Sequence, residues 1–279
     1  MATAIALVTA AVVALGVDVG LAIRGEYQLS RSLRSSPQVT FDPEVTLSGF
    51  PYIAHASSAR FAGAVITARG VDVDGCPDDA RCRAELGATL GEFSVPDGWS
   101  IGPDDPIRAA SIKAYARLDS VNLGRMLGII DLTVNTPAPS DKAGGGGPQD
   151  GLLRRTTGVL LTGTVALPDG DTAQQVHSDL PPSASAYPGP KVKVSVNVDL
   201  SVVDGRLHLQ ATGFYTGPEE HVDSDVPAGQ RAAVLAAFTR TLPVLPLPWQ
   251  ISPQWAYSEG SDVLIAGTSG PREVRPDRF

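Results

Sequence analysis

From Lys191 onward the chain alternates without a break. Val192, Val194, Val196, Val198, Leu200 and Val202 are apolar, while Lys191, Lys193, Ser195, Asn197, Asp199 and Ser201 are polar. A period of two builds a β-strand with one dry and one wet face. Twelve residues at the strand rise reach about 40 Å, well past the usual length of about 5–6 residues. Asp204-Gly205 supplies a hairpin turn, and Leu207, Leu209 and Ala211 return against the first strand. Thr157 to Leu167 repeats the pattern through Val159, Leu161, Val165 and Leu167. Earlier, Val45-Thr-Leu-Ser reads as a strand, as does Ala64 to Val73, with Val65, Thr67, Arg69, Val71 and Val73 on one face. Ile107 to Leu118 gathers Ile112, Ala114, Ala116 and Leu118, and Val263 to Ala266 closes as a short strand.

Three segments carry helical spacing instead. Leu21 to Ser35 places Ala22, Glu26, Leu29 and Leu33 on one stripe and stops at Ser36-Pro37. Val121 to Leu132 aligns Leu123, Met126, Leu127 and Ile130, and Ala228 to Thr241 aligns Val234, Leu235 and Phe238. Long one-sided strands must bury their dry face, and these helices are the available cover. The expected class is α+β: a long curved antiparallel sheet wrapped around one or two helices.

Met1 to Val17 has no charged side chain, and the apolar character resumes from Val19 to Ile23 before Arg24. Residues 1–23 therefore read as a signal peptide or membrane anchor, with Ala14-Leu15-Gly16 as a small-x-small cleavage site. Arg24, Arg31 and Arg34 follow the apolar run, which is the wrong side for an exported C-terminus under the positive-inside rule. The expectation is an exported protein of the periplasm or cell envelope. Residues 24–270 form a single domain with a flexible Gly/Pro-rich loop at 136–151, and 271–279 form a disordered tail.

Composition narrows the chemistry. Of 279 residues, 43% are hydrophobic and 19% charged, enough apolar content for a sizeable core. The net charge of −8 argues against sequence-independent nucleic-acid binding, which needs a basic surface. Cys76 and Cys82 have the wrong spacing for a C-x-x-C redox pair; in an exported chain they close a small disulfide loop, and in a cytosolic one they stay as two thiols. The glycine run at 144–147 lacks the Gly-Lys-Ser/Thr of a phosphate loop. Gly98-Trp99-Ser100-Ile101-Gly102 matches a nucleophile elbow, but prolines on both sides oppose the strand and helix that an elbow needs. The acidic run from Glu219 to Asp225 reads as a solvated loop, and His55, His177 and His208 are isolated. Neither a metal nor a cofactor is expected, and an envelope hydrolase using Ser100 is the alternative to a non-enzyme.

Several motifs in order then form a resemblance. They are the apolar segment ending at Asp18 with Glu26 beyond it, Gly49-Phe50-Pro51-Tyr52-Ile53, the strand Val65 to Val73, and a late helix followed by Leu245-Pro-Leu-Pro-Trp249-Gln-Ile and a closing strand. In this the chain resembles the LmeA-like phospholipid-binding family, exported actinobacterial proteins named for lipomannan elongation. The glycine run and the lack of a basic start depart from it. The resemblance implies half of a tubular lipid-binding (TULIP/BPI-like) fold enclosing an apolar groove. It also implies binding of phospholipids such as phosphatidylinositol-type species, without catalysis, in support of lipomannan and lipoarabinomannan elongation. Envelope mannosyltransferases are then possible partners for which the protein could act as a scaffold.

The strand geometry locates candidate contacts. Acyl chains are expected on the dry faces at Val194, Val196, Val198, Leu207 and Leu209, opposed by Met126, Leu127, Ile130, Leu235 and Phe238. Phe50, Tyr52, Leu247 and Trp249 are expected near the groove mouth, because proline-punctuated segments cannot be central strands. Arg60, Arg125 and Arg240, each beside an apolar segment, are the candidates for a phosphate head group. A tryptophan at Val196 is expected to block lipid while sparing the fold.

Overall fold

One unbroken helix, α1 (Ala2–Leu33), joins the two segments that the sequence divides at Asp18. Its first half is apolar and exposed, including Ile5, Leu7, Val8, Val12 and Val13, whereas Leu29 and Leu33 are fully buried. Asp18 does not interrupt the helix because its charge is used elsewhere. Its buried carboxylate accepts the N–H groups of Tyr52 at 2.9 Å and Ile53 at 2.8 Å. These open α2 (Tyr52–Ser58), whose own cap position, Pro51, offers no side-chain acceptor. Further along α1, Glu26 accepts the N–H of Leu47 at 2.9 Å in β1 (Glu44–Ser48). Asp18→Ala strands one buried and one partly buried donor, so it is expected to cost about 1–2 kcal/mol. Thermal unfolding of Asp18→Ala beside Asp18→Asn, which keeps an acceptor, checks this; equal losses in both would discard the capping role.

The computed structural model describes residues 2–77, 81–135, 154–155, 158–167, 190–217, 221–222 and 224–279. The loop expected at 136–151 lies outside the described residues. After β1 the strands are β2 (Arg60–Phe61), β3 (Gly63–Val73), β4 (Cys82–Leu90), β5 (Phe93–Ser94), β6 (Ile107–Ala109), β7 (Ile112–Leu118) and β8 (Thr133–Asn135). They continue as β9 (Arg154–Arg155), β10 (Val159–Ala166), β11 (Lys191–Val203), β12 (Arg206–Phe214) and β13 (Arg240–Thr241). The last three are β14 (Trp255–Glu259), β15 (Asp262–Ser269) and β16 (Arg272–Val274). Two further helices are α3 (Ser120–Leu127) and α4 (Arg231–Ala236).

The strands form antiparallel sheets of seven (β1-β3-β4-β7-β15-β14-β9), five (β13-β12-β11-β10-β8) and four (β16-β6-β5-β2). The α+β class with extensive antiparallel sheet holds. The strand β11 keeps its alternation, burying Val192, Val194, Val196, Val198 and Leu200. It pairs Val196 with Leu161 on one side and Leu200 with Leu209 on the other. The hairpin turn is at Asp204 and Gly205, both with positive φ (49° and 73°). Cys76 and Cys82 are disulfide-bonded, tying the β3–β4 hairpin with their Cα atoms 5.6 Å apart.

Four expectations need correction. The face of β3 swaps midway: Ala64, Ile66 and Ala68 are buried, then Val71, because a bulge at Gly70 (φ 70°) adds a residue. The helix α3 stops at Leu127, where Gly128 takes a left-handed cap (φ 76°). Ile130 therefore leaves the apolar stripe and is 56% exposed. The last helix is only the six residues of α4. Finally, 271–279 is folded, with β16 paired to β6 and Phe279 buried.

Candidate functional site

Val194, Val196, Val198, Leu207 and Leu209 are brought together with Met126, Leu127, Phe238, Leu247, Trp249 and Tyr52 in one continuous apolar core. Leu235 packs at its margin. Phe50 stands apart, exposed. Side chains of the protein itself occupy the dry strand faces; Val196, Leu207 and Phe238 have no exposed surface.

Among the described residues, three cavities border the C-terminal strap formed by β16 and a 3-10 turn at Pro276–Arg278. The strap is held from several distant elements. The Trp249 indole N–H donates to the Arg275 carbonyl at 2.8 Å, and its ring meets Phe279 edge-on at 5.1 Å. The Phe279 carbonyl accepts from the Ser36 hydroxyl at 2.9 Å and from the Gln38 side-chain amide. Composition could not announce this. A Pro/Arg-rich terminus reads as disordered until its partners, from Trp249 back to Ser36, are known.

Three cavities follow the strap in sequence. An apolar one of about 470 Å³ is lined by Val244, Leu245, Pro246, Leu247, Ile251 and Phe279, with Arg278 at its edge. It shares Gln250 and Arg278 with a cavity of about 370 Å³ that adds Trp249 and Arg275. That one shares Glu273 with a cleft of about 900 Å³ in the four-stranded sheet. The cleft carries Arg60, Arg108, Arg272 and His55 over a floor where Phe61 stacks on Phe93 at 5.0 Å. Glu273 pairs with Arg108 at 3.0 Å. These sizes fit the range of small-molecule sites. Leu245, Pro246 and Leu247 thus line a mainly apolar cavity. Of the three head-group candidates, Arg60 lies in the cleft. Arg125 instead donates to the Arg81 carbonyl at 3.2 Å, and Arg240 is exposed on β13. Sequence reasoning missed Arg275 and Arg278 of the middle cavity, and Arg108 and Arg272 of the cleft, which the β16–β6 pairing brings together.

A fourth cavity, about 340 Å³, lies on the seven-stranded sheet around Tyr115, Trp255, Tyr257 and Leu264. Its cation, Arg117, is committed to Glu85 and Asp262, each at 3.5 Å. Burial and the neighbouring Glu85 carboxylate push the Tyr115 hydroxyl above its ordinary value, so it stays protonated. Among the described residues this cavity offers aromatic surface with Lys113 as its second lining cation.

Ser100 sits exposed after a turn, several residues beyond β5 and before β6, without the strand–turn–helix context of a nucleophile elbow. In the acidic run, Glu219, Glu220 and Asp223 lie outside the described residues, as does His177.

A family model described as LmeA-like phospholipid-binding matches residues 16–268, nearly the whole chain. No curated protein and no solved structure matches the chain.

Proposed function

Because the chain belongs to the LmeA-like phospholipid-binding family, we propose that it holds phospholipid in the trough along its C-terminal strap, without chemistry on the lipid. The observation that supports this reading is the succession of neighbouring cavities, sharing Gln250, Arg278 and Glu273 as lining, from a mainly apolar one to a cleft that carries Arg60, Arg108 and Arg272. An amphiphile needs both. Acyl methylenes gain about 0.8 kcal/mol each on leaving water. Guanidinium groups pair bidentately with phosphate, and the exposed Arg60 and Arg272 are well placed for it. A phosphatidylinositol-type head group suits a cleft this large. The fold is read as half of a tubular lipid-binding protein, exported to the envelope by α1 acting as signal or anchor. Its lipid-loaded form would support lipomannan and lipoarabinomannan elongation, alone or beside mannosyltransferases.

Purified protein should release phospholipid on solvent extraction, identified by mass spectrometry. Arg60→Gln/Arg272→Gln is expected to weaken binding to phosphatidylinositol vesicles by roughly a hundredfold, from two lost charge-assisted contacts at about 1.5 kcal/mol each. Its melting temperature should hold, since both side chains are exposed. Unchanged affinity would move the head group out of the cleft.

A further inference from the structure

The exposed apolar face of α1 does not stop where the folded body begins. Val17, Val19 and Ile23 are 52%, 48% and 61% exposed, although Asp18 among them is buried against α2. At the same height, other elements turn large apolar side chains to solvent. Phe50 and Ile53 flank the Asp18-capped start of α2, and Trp99 meets Tyr52 edge-on at 6.3 Å. Phe50 is 71%, Trp99 44% and Ile53 38% exposed. The Tyr52 hydroxyl lies over Gly25 so closely that a Cβ there would overlap it, which fixes this cluster against α1.

Such a collar is costly in water, at about 25 cal/mol per Å² of apolar surface. Its residue types and position identify what covers it. The helix beside it is long and apolar enough to cross a membrane. Aromatic side chains concentrate where hydrocarbon meets head groups. Arg24, exposed one residue past Ile23, is at the level where a long cationic side chain reaches phosphate.

We propose that Phe50, Ile53 and Trp99 form a docking lip that seats on the same lipid bilayer that takes the apolar half of α1. The lip then faces the hydrocarbon boundary beside α1, and the body cannot tumble freely above the membrane. His55 and Ser58 of α2 line the arginine cleft, so docking also brings the mouth of that cleft toward the head groups. The lip itself does not depend on where lipid binds in the body.

The full chain is reconstituted into phosphatidylcholine/phosphatidylglycerol vesicles containing phosphatidylcholine brominated near the head group, and tryptophan emission is read. The Trp99 share is the difference between wild type and Trp99→Phe. It is expected to fall by half or more with brominated lipid. Phe50→Ser/Ile53→Ser should restore most of it while its melting temperature and vesicle attachment through α1 stay unchanged. Trp99 emission indifferent to bromine overturns the proposal. So does concentration-dependent dimerisation that Phe50→Ser/Ile53→Ser abolishes, because a second copy would then cover the lip. Phospholipid bound by the body is measured in the same samples by extraction, so failure of the trough and failure of the lip give different results.

Discussion

Trp249→Ala is expected to destabilise the protein by about 3–5 kcal/mol, the usual cost of removing a buried large aromatic side chain. The indole is buried, packs on Phe279, and donates the hydrogen bond that holds the Arg275 carbonyl. Its backbone sits at φ 53°, a left-handed conformation that an L residue adopts at a cost of about 1–2 kcal/mol. Only strong packing keeps it there. Without the indole, the strap should detach. Chemical denaturation followed by circular dichroism gives the stability loss, and trypsin should cut first after Arg272 or Arg278, since Pro276 protects the bond after Arg275. Because the indole is buried, melting temperature should fall along with any lipid loading. Wild-type stability with an intact strap in Trp249→Ala would remove the pin.

Val196→Trp is expected to cost at least about 3 kcal/mol, beyond the common range for overpacking. The side chain has no exposed surface in β11, between the paired residues Leu161 and Phe214. An indole has nowhere to go without displacing β10 or β12. An open groove predicts that this substitution spares the fold; a filled core predicts that it does not. Equilibrium unfolding in urea, with wild type and Val196→Ile as references, tests it. A folded Val196→Trp protein of near-native stability would show that the face is open to guests after all.

Some of this was legible in the chain, for physical reasons. Alternation in β11 follows from local side-chain geometry and needs no partner, so Val192 to Leu200 could be assigned inward. The Asp204-Gly205 turn is similarly local. The disulfide could be argued from spacing and compartment. What escaped were features created at a distance. Asp18 looks like a break in an apolar run, but it serves the start of α2. Gly70 flips the face of β3 by a single inserted residue, which a strict period of two cannot foresee. Phe279 is apolar in a polar tail, and its place is explained by Trp249, Ser36 and Gln38. At the candidate site, the Leu245-Pro-Leu-Pro segment could be picked out by its composition. The arginines beside it could not, because Arg108 and Arg272 meet through strand pairing across most of the chain.

The strand order has a consequence for how the protein acquires its structure. β15 lies between β7 and β14, and the Arg117 and Asp262 side chains that pair there are 145 positions apart. The seven-stranded sheet therefore stays split while the first two hundred or so residues are made, with β7 showing an unpaired edge. Loop closure over such a span must precede any reward from the new contacts, a topology associated with folding in milliseconds to seconds. Slow closure makes the interval before β15 arrives the moment of greatest aggregation risk, so chaperone demand should track β15 more than any other strand.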